Sequence, residues 1–289
     1  MGRPDVESLP YEDYSNRQLA AIPLALLAVA LLVLAGMYIV TGTPVDLGMA
    51  FTGGTEIRFE GDASTDEVRD ALADVESESI RSVGQSGSFM LTTQTTDAEE
   101  LDAIETEIEN EGFEVQSVEV RSPDFGDETQ TQALIGVALA FVGMSILVAL
   151  MFRTFVPSLA IVASAFSDIM IPLALMSILS IDLTLGTVAA LLMIIGYSVD
   201  SDILFNNHIL KRHGGFYESA FRAMRTGVSM TLTSISAMIV MFIVATLLGI
   251  PLLPDIALVL VFGLAADLMN TYMMNLSLLR WYKYEGVKR

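Results

Sequence analysis

Six stretches of the chain run apolar for about twenty residues or more: 20–40, 131–152, 156–180, 183–205, 228–249 and 255–279. A run of roughly 18 or more apolar residues is long enough to cross a bilayer as a helix, so each is a predicted span. The first is not followed by a small-residue cleavage signal and reads as an anchor rather than a removed leader.

Between the first and second spans the pattern changes. "EIRFE" (56–60) alternates like a strand, and "STDEVRDALAD" (64–74) opens with Ser64 and Glu67 at capping-box spacing. "SFMLTTQ" (88–94) is strand-like and is expected to pair with residues near 78–84. "TDAEELDAIETEIENEG" (96–112) carries a second capping box at Thr96 and Glu99, with Gly112 as a stop, and "FEVQSVEV" (113–120) is a last strand. The predicted fold is therefore a membrane α-helical bundle of six spans plus a small external α+β domain of ferredoxin-like βαββαβ order. The implied divisions are an N-terminal tail (1–19), the first span (20–40), the external domain (41–130), a five-helix bundle (131–280) and a C-terminal tail (281–289).

Composition supports the membrane class: 53% of the 289 residues are hydrophobic and only 17% charged. With no cysteine and two histidines, His208 and His213, the chain offers no thiol chemistry and little for a histidine-based metal site. Basic residues orient the spans. They gather before the first span, at Arg153, in the loop holding Lys211, Arg212, Arg222 and Arg225, and in the tail, which predicts cytoplasmic termini.

Of the formal net charge of −20, segment 41–130 alone carries −19, from 23 acidic and 4 basic residues. With 12 Arg, only 3 Lys and 35 acids, the chain suits molar salt, where the Debye length is about 3 Å. Such a surface excludes nucleic acid as a partner.

The candidate chemistry lies inside the spans. Asp168, Asp200, Asp202 and Asp267 all interrupt apolar runs, although a carboxylate at mid-bilayer costs about 2.5–3.5 kcal/mol on the mildest scales. Asp168 falls about 18 Å into the third span, at 1.5 Å per residue. Asp200 and Asp202 are about 200° apart on a helix and cannot face the same neighbour. The functional reading is a relay for protons or ions, favoured for Asp168 and Asp200. The structural reading, a carboxyl group hydrogen-bonded between helices, weighs equally for Asp202 and more heavily for Asp267.

"TGVSMTLTSISAM" (226–238) is expected to pack closely and to supply hydrogen bonds to those acids, and Gly196 to permit close helix approach or a bend. Gly53 and Gly54 in "FTGGTEIRF" mark a tight turn before the first strand. The doublet lacks the lysine of a phosphate-binding loop, and nothing else indicates nucleotide binding or catalysis.

"FTGGTEI" after a first span, a compact outer domain, and "GYSVDSD" in the fourth span together resemble the SecD/SecF protein-export family, and within it SecF, in a haloarchaeal form. The family lies in the resistance-nodulation-division superfamily, and the resemblance covers nearly the whole chain. It implies an accessory role beside the protein-conducting channel, a SecD-like six-span partner, translocating polypeptides as clients, no cofactor, and coupling to a proton or sodium gradient.

Residue by residue, Asp168 matches the third-span aspartate, and a bacterial His-Asp pair is Ser167–Asp168 here. Gly196, Tyr197 and Ser198 match the fourth-span motif. Ser201 stands where bacterial relatives carry aspartate, flanked by Asp200 and Asp202. Rival readings are a scaffold that moves no ions, a solute or lipid exporter of the same superfamily, and an intramembrane aspartyl protease. The last lacks the Gly-x-Gly-Asp it would need.

Overall fold

The computed structural model describes residues 14–73, 75, 77, 79–83, 87–211 and 215–286. Most of the predicted N-terminal tail, the end of the C-terminal tail, His213, and parts of the expected 78–84 strand lie outside the described residues.

The chain opens with α1 (Asn16–Thr41), capped by Ser15 and Gln18 in a reciprocal box and stopped at Gly42 in a left-handed conformation. After a short turn, α2 (Met49–Thr52), the chain enters the sheet domain as β1 (Gly54–Glu60), α3 (Thr65–Ala71), β2 (Ser79–Ser82), β3 (Ser88–Thr93), α4 (Ala98–Asn110) and β4 (Glu114–Arg121). The four strands form one antiparallel sheet in the order β2–β3–β1–β4.

Strand alternation puts Ile57 and Phe59 on one face of β1, where they meet Phe89, Leu91, Val68, Leu72, Leu101 and Ile108 in the domain's core. Phe59 stacks on Phe89 with ring centroids 5.7 Å apart. The helix starts follow the sequence, with one correction. Ser64 and Glu67 form the expected capping box on α3. On α4 the cap is Asp97, not Thr96: its carboxylate accepts from the N–H groups of Glu99 and Glu100. A charged acceptor suits the positive helix end better than a hydroxyl does.

Gly53 (φ 73°) and Gly54 (φ 109°) do more than mark a turn. A Cβ on Gly53 would lie 2.6 Å from Pro123, and one on Gly54 would lie 2.5 Å from the Thr93 carbonyl oxygen. The doublet therefore lets β1 start hard against the helix that leaves the domain.

That helix, α5 (Pro123–Phe152), begins inside the segment expected to belong to the outer domain and runs on unbroken as the second span. Pro123 at its first turn fits the helix start. The rest of the bundle is α6 (Phe155–Leu179), α7 (Leu185–Lys211), α8 (Phe216–Leu247) and α9 (Leu253–Met269). A π-helical turn (Asn270–Asn275) leads into α10 (Leu276–Trp281) and a second π-helical turn (Tyr282–Gly286).

Among the described residues, six helical stretches are long and apolar enough to cross a membrane. Those on α6, α7 and α9 are about half buried, whereas α5 and α8 bury little of theirs. The bundle is thus built around α6, α7 and α9, and its site lies among them.

Candidate functional site

Asp168 on α6, Asp202 on α7 and Asp267 on α9 are all buried. Small residues let these helices approach. Ile194 of α7 sits where a Cβ on Gly263 of α9 would be, its atoms 2.2–3.0 Å from that point. Each carboxyl group is then met by hydroxyl and amide donors from neighbouring turns.

Asp168 accepts from Ser198 Oγ at 2.5 Å, Asn270 Nδ2 at 2.6 Å and, more weakly, Ser164 Oγ at 3.5 Å. Asp202 accepts from Thr271 Oγ1 at 2.7 Å and Asn275 Nδ2 at 2.9 Å. Asp267 lies between them: Ser201 Oγ reaches both its oxygens at 3.0 and 3.1 Å, and Thr271 Oγ1 approaches at 3.3 Å. Thr271 thus touches two of the three carboxyls.

The π-helical turn explains this clustering. A widened turn changes the angular spacing of its side chains, and such turns recur at functional sites. Here Asn270 reaches Asp168, while Thr271 and Asn275 both reach Asp202.

One turn beyond Asp202 on the same face of α7, Asn206 is fully buried, and neither of its amide atoms meets a partner among the described residues. Asp202 Oδ2 and Asn275 Oδ1 are likewise unpartnered. Buried polar groups of this kind are ordinarily satisfied, so the polar track continues from the acids toward the far end of α7.

The electrostatics are one-sided. The four ion pairs among the described residues all lie elsewhere. Among the described residues, the three carboxyls are therefore met by neutral donors.

Sequence reasoning favoured Asp200 over Asp202 as the second interior acid. The structure buries Asp202 among the donors. Asp200 is exposed on the outer face of α7, in a stripe with Met193 and Gly196, because two residues turn the helix through about 200°. Gly196 is corrected as well: among the described residues no neighbouring helix comes within 4 Å of where its Cβ would be, and α7 passes through it unbroken.

Tyr197 donates to Thr231 Oγ1 at 3.2 Å and ties α7 to α8. The hydroxyls of 226–238 do not serve the acids. Thr231, Thr233 and Ser236 bond carbonyls of their own helix at i−4. The donors missed in the sequence, Asn270, Thr271 and Asn275, had one visible signal: a polar cluster in "NTYMMN" inside the sixth apolar run.

Comparison with known proteins fits this picture. Residues 101–285 match the family described as protein export membrane protein SecD/SecF, C-terminal. The chain is 62% identical over 284 residues to the protein-export membrane protein SecF of Haloferax volcanii, with 98% of each chain covered. The chain belongs to the SecD/SecF protein-export family.

A second SecF relative, from Haloquadratum walsbyi, is 60% identical, again over 98% of each chain. The crystal structure of SecDF, a translocon-associated membrane protein from a Thermus species, superposes with a TM-score of 0.76 over 98% of this chain at 22% identity. At that identity the likeness concerns the fold. The SecD/SecF chain described here spans 40% of the length of that SecDF chain.

Proposed function

We propose that the chain acts as the SecF-type accessory subunit of the protein-export machinery, beside the protein-conducting channel and paired with a SecD-like six-span protein. In this reading an ion gradient drives its work through Asp168, Asp202 and Asp267. The observation that carries the coupling is the set of three buried carboxyls supplied by neutral donors and, among the described residues, by no cationic side chain.

Taking up or releasing a proton or sodium ion changes the charge that Ser198, Ser201, Asn270, Thr271 and Asn275 must satisfy, and so favours a different packing of α6, α7 and α9. Pairing rests on the SecDF fold likeness, in which this chain accounts for part of a longer polypeptide. Both termini are cytoplasmic and residues 41–130 external, as the basic residues direct. The sheet domain is ferredoxin-like, a reading supported by its βαββαβ order and its strand order. The chain catalyses no reaction of its own.

The test is export of a secreted reporter in cells carrying Asp168→Asn, Asp202→Asn or Asp267→Asn, with Asp200→Asn as the comparison and membrane levels measured alongside. The three interior variants are expected to insert normally and to lower export to the level seen without the protein. The Asp200 variant is expected to be mild. Unchanged export in all three would favour a scaffold that moves no ions.

A further inference from the structure

Among the described residues, two contacts join the sheet domain closely to the bundle. One is the glycine seat against the start of α5. The other is the turn between α6 and α7, residues 180–184, which joins the helix of Asp168 to the helix of Asp202. We propose that Arg81 is the positioning residue that seats the sheet domain on this turn and so ties it to both acid-bearing helices.

The turn is a stiff unit. Ile181 N–H bonds the Met176 carbonyl at 2.9 Å, and Thr187 Oγ1 accepts from Thr184 N–H at 2.7 Å. The root of the domain lies along it like a short parallel strand: Leu183 N–H donates to the Asp46 carbonyl at 2.7 Å, and Gly48 N–H donates to the Leu183 carbonyl at 2.9 Å. A Cβ on Gly48 would lie 2.8 Å from Thr184 Cγ2, so the approach is close.

Arg81, on β2 in the folded body of the domain, then forks onto Asp182: Nη1 to Oδ2 at 2.9 Å and Nη2 to Oδ1 at 3.2 Å. Two parallel N–H···O contacts fix direction as well as distance. Among the described residues this is the only ion pair between the sheet domain and the bundle.

Its setting makes Arg81 hard to replace. Asp46 and Asp255 also act on it, and Asp182 acts on Glu56. Without the guanidinium, carboxylates would face one another across the contact. At molar salt the Debye length is about 3 Å, so a contact pair persists while longer-range repulsion between acids fades. A pair this exposed shifts an equilibrium by at most about fivefold. That is too little to hold the domain folded, but enough to choose between a seated and an unseated position. The role is orientation rather than stability.

The chain has no cysteine, so spin labels on cysteines placed at Glu107 and Leu179 report the position of the domain in the full protein held in lipid nanodiscs. The unmodified chain should give one narrow distance distribution at molar salt. Arg81→Glu and Asp182→Arg should each broaden it, and the charge-swapped double variant should restore it. Amide protection of β1 and β3 checks that the domain stays folded. If Arg81→Glu perturbs the domain itself, Asp182→Arg, which alters only the turn, carries the test.

An unchanged distribution in the single variants, or no recovery in the double, overturns the proposal. Reporter export should follow the distances, falling in each single variant and recovering in the double. Full export with an unseated domain would overturn the tie to the helices, while the Asp168 reading would stand or fall on its own assay.

Discussion

Two regions of this molecule handle carboxylates in opposite ways. In the bundle, three are buried and each is given donors: Asp168, Asp202 and Asp267 take hydrogen bonds from serine, threonine and asparagine on α6, α7 and the π-helical turn. In the sheet domain, a segment with 23 acids surrounds a small apolar core, and its carboxylates stay mainly at the surface.

The first arrangement keeps charge where it is costly and provides for it in detail. The second spreads charge where water and salt answer it. An acid in this chain is therefore informative about function only where burial and dedicated donors coincide. Asp200 shows the distinction within one helix. It lies two residues from Asp202, yet it has an outer position and no place in the network.

The comparison breaks most sharply if the small core is emptied. Phe59 is fully buried and contacts both Phe89 and Phe113. Phe59→Ala is expected to cost about 3–5 kcal/mol, as for other large core truncations. Hydrogen exchange on the full chain should show amide protection lost across β1, β3 and β4 and kept along α6 and α9. Loss of protection in both regions would mean that the bundle depends on the domain.

A smaller effect tests whether the interior acids need their donors. Asn270→Leu removes the 2.6 Å contact to Asp168 and is expected to destabilise the bundle by about 1–3 kcal/mol. Asp168→Leu combined with Asn270→Leu should cost less than the sum of the two single changes, because no carboxyl is then left without its partner. Thermal unfolding in detergent measures the cycle, and strict additivity would show that the contact carries no energy.

The smallest expected effect lies at the surface. The Ser64 N–H and hydroxyl, both bonded to Glu67, hold its carboxyl below the usual glutamate range. Because the folded value is the lowered one, this contribution is present above the ordinary glutamate value and is lost as pH falls through the folded value. Ser64→Ala is expected to cost about 1 kcal/mol at neutral pH, typical for a helix cap. The gap to the unmodified chain should narrow in acid. The midpoint of sheet-domain unfolding across pH reads this out, and a gap independent of pH would remove Glu67 from the explanation.

Much of the architecture was legible along the chain, for local reasons. Apolar runs of about twenty residues mark spans wherever they occur, so all six were found, and five of them lie close to their observed limits. The main departures came at two helix starts: a polar first turn hid the beginning of α5 at Pro123, and charged residues such as Glu218, Arg222 and Arg225 hid the beginning of α8, expected at 228 and found at Phe216. The strand and helix order of the sheet domain followed from alternation and capping residues, and only the cap of α4 moved, by one position.

The site was legible in part. An aspartate inside an apolar run stands out in any single sequence, which singled out all four. Which of them meet was not legible. The choice of Asp202 over Asp200 depends on the rotation of α7 against α6 and α9, set by side chains such as Ile194 seated on Gly263. The donors on the sixth span depend on a π-helical turn that no hydropathy pattern announces.

By itself, then, the sequence determined the number of spans, the separate acidic domain and its element order, because each follows from interactions within a few turns of chain. Only the tertiary structure decided that Asp168, Asp202 and Asp267 form one network, that Asp200 stands outside it, and that Arg81 reaches Asp182 across 101 residues. Those contacts join parts of the chain that carry no record of one another until the helices and the sheet domain have packed.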